Sequence, residues 1–203
     1  MNSTYDTCAN DYLTCLLGRI GATLAGVKPA ELINVSSGDD AFGQWQHVKA
    51  AIKNFHDMDY IVIKVKKGRR QVLFYHGAAL DQTLNSYSVQ LFLKSLGYPE
   101  NYTLEGYLDC LVEKLRGESF PHEIGVFLGY PLKDVKGFLG YSSLEMVQVK
   151  GWRIYGNREP SLETYHKFKE AKEEFQNLLI LWGEGGNNKS IESDGFRESK
   201  RAL

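Results

Sequence analysis

The sequence predicts an α+β domain: a small, mainly antiparallel sheet containing a β-hairpin, covered by five or six helices. Two observations carry this. Residues 59 to 76, DYIVIKVKKGRRQVLFYH, are two β-branched and aromatic runs that meet at Lys67-Gly68-Arg69, where glycine supplies the positive φ of a tight turn. On both sides of this hairpin, apolar residues recur at three- and four-residue intervals, the pattern of helices with one buried side.

In chain order, Ala9, Tyr12, Leu13, Leu16, Leu17, Ile20 and Leu24 predict a first helix, ended by Gly26 and Pro29. Leu32 to Val35 predict a brief strand. Ser36, Ser37, Asp39 and Asp40 offer N-cap oxygens for a helix with Phe42, Trp45, Val48, Ile52 and Phe55 on its inner side. His47 and His56 flank that stripe as surface residues. Pairing about the hairpin turn groups Ile61, Ile63, Val72 and Phe74 on one face and Tyr60, Val62, Leu73 and Tyr75 on the other, so cover is expected on both sides.

A helix is expected from Ala79 to Leu96, with Leu80, Leu84, Tyr87 and Leu91 inward and a stop at Gly97 and Pro99. Thr103 caps the next, whose buried side is Leu104, Tyr107, Leu108, Leu111, Val112 and Leu115. Glu123 to Leu128 read as a buried strand of the sheet, and Tyr130-Pro131 opens a short helix through Leu132, Val135 and Leu139. Val147 to Tyr155 read as one strand with a bulge at Gly151. Pro160-Ser161 then starts a long helix to about Trp182, with Leu162, Tyr165, Phe168, Phe175 and Leu179 inside and His166 outside. Residues 1 to 183 are expected to form a single globular domain, and 184 to 203, polar and rich in glycine, a disordered tail.

At 203 residues with 43% hydrophobic and 24% charged residues, the chain has the composition of a soluble globular protein, and its net charge of -1 gives no overall attraction to nucleic acid or anionic membrane. Cys8, Cys15 and Cys110 lack CxxC spacing, and the N-terminus lacks a basic region ahead of an apolar core. No apolar run approaches the ~20 residues of a membrane helix. A cytoplasmic protein with three thiols is expected. Lys64, Lys66, Lys67, Arg69 and Arg70 concentrate positive charge at the hairpin tip; a solvated tip explains them at less cost than a nucleic-acid contact, because the rest of the chain is not basic.

Chemistry concentrates between Phe120 and Tyr155. His122-Glu123 pairs an imidazole with a carboxylate beside an apolar segment, a setting that suits a general acid or base, or a metal ligand. A zincin spacing would need a second histidine at position 126, where this chain has Val126. Gly125 and Gly129 match no phosphate loop, and Gly140-Tyr141-Ser142-Ser143-Leu144 does not complete a nucleophile elbow. The candidate catalytic residues are therefore His122 and Glu123. Lys28, His76, Gly125, Gly129 and Tyr130 are candidate ligand contacts, set against the plainer readings of Lys28 as a solvated loop lysine and His76 as a hydrogen-bonded structural residue. No metal or cofactor follows from these residues.

GATLAGVKPAELINV, FPHEIGVFLGYPLKDVKGFLGY and GWRIYG resemble bacterial domain-of-unknown-function family 3793, over about residues 15 to 175. Lys28, Pro29, His122, Glu123, Gly125, Gly129, Tyr130 and Pro131 are the positions that match its motifs. The resemblance implies a small cytoplasmic protein of anaerobic, mainly clostridial-type bacteria and carries over no activity. Three function classes are thus weighed: a small-molecule or cofactor-binding domain, enzymatic or not, centred on the FPHEIG loop; a noncatalytic module for a protein partner, anchored by surface aromatics; and, last, nucleic-acid binding through residues 64 to 70.

Overall fold

The computed structural model describes residues 12–36, 41–66 and 69–185. It is α+β, with a three-stranded antiparallel sheet between two layers of helices and a separate two-stranded hairpin. The sheet has the order β1-β3-β2, made by β1 (Ala30–Ser36), β2 (Met58–Lys66) and β3 (Arg69–His76). In the central strand β3, Val72, Leu73 and Phe74 are fully buried, because both faces are covered.

The hairpin corrects one reading. At the tip Lys66 pairs with Arg69, but a β-bulge between Val62 and Lys64 shifts the register by one residue at the base. Such a slip moves each side chain to the opposite face. Tyr60, Val62, Val72 and Phe74 therefore join one core, and Ile61, Ile63, Leu73 and Tyr75 the other.

On the first face lie α1 (helical over 12–19), α2 (Gly21–Leu24), α3 (Ala41–Ile52) and α9 (Glu159–Gly185), packing Leu17, Ile20, Trp45, Val48, Ile52 and Phe175 against the sheet. The cap residues Ser37, Asp39 and Asp40 predicted for α3 lie outside the described residues, as does the chain beyond α9. On the second face lie α4 (Gly77–Leu84), α5 (Tyr87–Ser95), α6 (Leu104–Arg116), α7 (Ile124–Phe127) and α8 (Leu132–Phe138). Helix α6 follows its local sequence closely: Thr103 Oγ1 accepts from Gly106 N at 3.0 Å, Glu105 sits in the first turn, and Lys114 and Arg116 sit in the last. A side-chain cap of this kind is worth about 1 kcal/mol.

Three further expectations are corrected. The helix read over 79 to 96 breaks at Asn85-Ser86, where Ser86 is extended. The break turns the second piece, so Val89, Phe92 and Leu93 are buried while Tyr87 and Leu91 are exposed. Within residues 124 to 128, Ile124–Phe127 are buried but helical and Leu128 is the half-buried C-cap, since a short apolar run bounded by turns fits a buried helical turn as well as a strand. Residues 147 to 155 form a hairpin rather than one bulged strand: β4 (Met146–Lys150) pairs antiparallel with β5 (Trp152–Tyr155) across a turn at Gly151. Neither 124 to 128 nor this hairpin belongs to the three-stranded sheet.

Candidate functional site

The FPHEIG segment is built as consecutive tight turns. Ile124 N donates to Pro121 O, Gly125 N to His122 O and Val126 N to Glu123 O, which winds the chain directly into α7. The same segment is then reversed: Gly129 N donates to Val126 O and Tyr130 N to Gly125 O. Gly129 takes φ 79°, and a Cβ there would lie 2.6 Å from Pro29 Cδ, so only glycine fits both the backbone and the neighbour. Pro131 then precedes α8.

These turns, α8 and the β4–β5 hairpin enclose a cavity of about 370 Å³, lined by Phe120, His122, Tyr130, Val135, Phe138 and Trp152, with Ile124, Gly125, Leu128, Asp134, Val149, Gly151 and Arg153 completing the wall. That volume lies toward the small end of ligand cavities, about 300–1,000 Å³. Tyr130 and Trp152 stack with centroids 4.5 Å apart and planes at 19°. The His122 imidazole stands edge-on between Phe120 at 5.4 Å and Phe138 at 5.0 Å. Burial, with the Glu31 charge second, pushes the Tyr130 hydroxyl up to about 12, so it stays neutral at pH 7. Phe120, Phe138 and Val149 are exposed, which opens the cavity to solvent along that rim.

Its floor is pinned by Asp134, 2% exposed. Oδ1 accepts from Lys133 Nζ at 2.7 Å and Tyr155 N at 2.9 Å; Oδ2 accepts from Trp152 Nε1 at 2.8 Å and Ser161 Oγ at 2.6 Å. Lys133 Nζ also donates to Tyr155 O at 2.8 Å and Ser161 Oγ at 2.7 Å. Burial alone would raise the Asp134 carboxyl; the bonds from Lys133, Ser161, Tyr155 and Trp152 outweigh it and hold the group below its ordinary value. Although Ser161 and Lys133 are within hydrogen-bond reach, Ser161 is fully buried and its proton is committed to Asp134, so the pair is a joint between α8, β5 and α9 and not a nucleophile with its base.

The structure separates the residues singled out by sequence. His122, Gly125 and Tyr130 line the cavity. Glu123 does not: buried, it accepts from Tyr98 OH at 3.4 Å and pairs with Lys114 Nζ at 3.2 Å, which ties the loop to α6. The imidazole and carboxylate therefore face different surroundings. Lys28 is not solvated. It is buried, ion-paired with Glu31, with Nζ 5.8 Å from the ring centroids of both Tyr130 and Phe168, and thus supports the back of the Tyr130–Trp152 stack. His76 Nδ1 accepts from Ala79 N at 3.4 Å and caps α4, away from the cavity. At the hairpin tip, Lys64 donates to Leu115 O and the Arg70 guanidinium lies over Trp45, so two of the basic side chains are engaged within the fold.

Sequence reasoning missed Asp134, Phe138, Val149 and Arg153. Asp134 carries an ordinary helix-start signature in PLKDV, indistinguishable from a residue favouring the helix dipole. Among the described residues, no three His, Cys, Asp or Glu side chains converge as a metal site, and no helix is long and apolar enough to cross a membrane.

Among the described residues, fold and site together define an α+β architecture with an aromatic-walled cavity assembled by a loop, a short helix and a hairpin. Residues 16–183 match the family described as "Protein of unknown function (DUF3793)", and the chain belongs to that family. No curated protein and no solved structure matches it.

Proposed function

We propose that this domain binds a small molecule in the cavity beside the FPHEIG loop, with His122, Gly125 and Tyr130 among its contacts. The observation that carries the reading is the cavity itself: about 370 Å³, walled by five aromatic or imidazole rings, at the segment where the sequence concentrates its unusual chemistry. An apolar, ring-lined wall favours desolvating a flat apolar body over coordinating an ion. His122 is the side chain on that wall able to accept or donate a proton to a ligand, whereas Glu123 acts as scaffolding through Lys114. The protein-interaction reading called for surface aromatics with no hollow beside His122, and it ranks below on that ground.

The test is ligand capture. Purified full-length protein is incubated with a small-molecule extract of cells, washed, denatured and analysed by mass spectrometry, alongside Val149→Trp. Val149 is 60% exposed at the cavity rim, so an indole there obstructs the mouth without disturbing the core. Retention of a defined compound by the parent and its loss from the equally stable variant is the expected result. Identical retained sets from the two proteins would overturn the reading.

A further inference from the structure

Four titratable side chains line the cavity: His122, Tyr130, Asp134 and Arg153. Their charges do not balance. Tyr130 is neutral at pH 7, and the Asp134 carboxylate is matched by Lys133 and saturated by four donors, leaving neither oxygen for a ligand. Arg153 is different. It is exposed on β5 opposite Val149, with its guanidinium 5.4 Å from the Phe138 ring centroid, and among the described residues it has neither a carboxylate partner nor a hydrogen-bond acceptor. The half-buried Glu31 and the buried Glu123 are paired with Lys28 and Lys114 and are not on the wall.

A guanidinium resting on an aromatic face keeps its N–H edge available while the ring restricts its motion, which reduces the entropy lost when an anion binds. Beside the His122 imidazole and the neutral Tyr130 hydroxyl, that edge carries the fixed positive charge of the wall and is the group able to orient an anionic ligand. We propose that the cavity selects a planar, ring-containing organic anion, with the ring against the aromatic wall and its acidic group, a carboxylate or similar, at Arg153. This rests on the small-molecule reading above and specifies its ligand class. A cation of the same shape finds no uncompensated carboxylate and meets a like charge at the rim.

The test uses a matched pair of fluorescent probes, anilinonaphthalene sulfonate and its uncharged counterpart N-phenylnaphthylamine, titrated into the full chain at low salt. The parent is expected to bind the sulfonate about two- to fivefold more tightly than the neutral probe, the size of one rim-exposed charge-assisted contact. Arg153→Gln should abolish that preference by weakening the sulfonate alone, Arg153→Lys should retain most of it, and Val149→Trp should weaken both probes. If Arg153→Gln leaves the preference intact, or weakens both probes equally, the anion assignment falls while obstruction by Val149→Trp still upholds the cavity as a binding site. If Val149→Trp alters neither probe, or the parent binds neither, both readings fall.

Discussion

Asp134→Asn is a near-isosteric change whose cost can be worked from the geometry. The carboxylate accepts four hydrogen bonds, two on each oxygen, and all four partners are donors. An amide keeps one acceptor oxygen. In either orientation its NH2 group points at two donors: Lys133 and the Tyr155 N–H, or Trp152 and Ser161. Two charge-assisted bonds are lost, each worth about 1.5–3 kcal/mol, and Lys133 loses its counter-charge. Lys133 is 25% exposed and recovers part of this in water, while the Ser161 hydroxyl can rotate, so a net loss of about 3–4 kcal/mol is expected. With a urea slope of about 2 kcal/mol/M for a domain of this size, the unfolding midpoint should fall by about 1.5–2 M, followed by far-UV circular dichroism. The Lys133 cation favours the orientation that keeps the amide oxygen on its side, which turns the NH2 group toward Trp152 and Ser161; release of Trp152 should then loosen the Tyr130 stack, lowering neutral-probe binding under conditions where the protein is still folded. A midpoint drop below about 0.5 M would show that the four bonds do not hold α8, β5 and α9 together as argued.

The same joint makes two further expectations. Gly137→Ala places a Cβ within 2.7 Å of Tyr155 Cδ1 and nearer still to Cγ, and overpacking of this kind costs about 1–3 kcal/mol, which thermal melting would register; an unchanged melting temperature would contradict the close approach of α8 to β5. For pH, the folded-state carboxyl of Asp134 lies below its unfolded value, so its contribution is fully present above the unfolded pKa of about 4 and is lost as pH falls through the lower folded value. The parent should therefore lose stability on acidification below about pH 5 more steeply than Asp134→Asn, whose side chain does not titrate; parallel pH profiles would refute the assignment.

How much of this was legible along the chain depended on whether the cause was local. Helix α6 was readable because its cap, buried stripe and terminal charges all lie within its own residues from Thr103 to Gly117. The antiparallel pairing of β2 with β3 was readable for the same reason, although Lys67 and Gly68 of the expected turn lie outside the described residues; the register at its base was not, because the bulge after Val62 answers to packing on both faces of the sheet. Residues 124 to 127 were recognisably buried, but an apolar run that short fits a helical turn and a strand equally, and the choice fell to the contacts of α7 with α4 and α8.

The candidate site divides in the same way. Sequence placed His122, Gly125 and Tyr130 near one another because they are neighbours in the chain, and they do line one cavity. It paired His122 with Glu123 on adjacency alone, whereas consecutive residues in a tight turn point in different directions and Lys114, nine residues earlier on α6, claimed the carboxylate. Phe138, Val149 and Arg153 reach the cavity only once β4–β5 folds against α8, and Asp134 becomes a joint only when residues 18 to 27 positions away bring it three of its donors. Periodicity and capping are properties of a few successive residues, so the chain by itself determined the long segments with a complete local pattern, such as α6 and its buried side, while the short run at 124 to 128, the break at Asn85-Ser86 and the faces of the β2–β3 hairpin were set by packing. Convergence of side chains from distant segments has no such local signature, and tertiary packing alone decided which of these groups share a cavity.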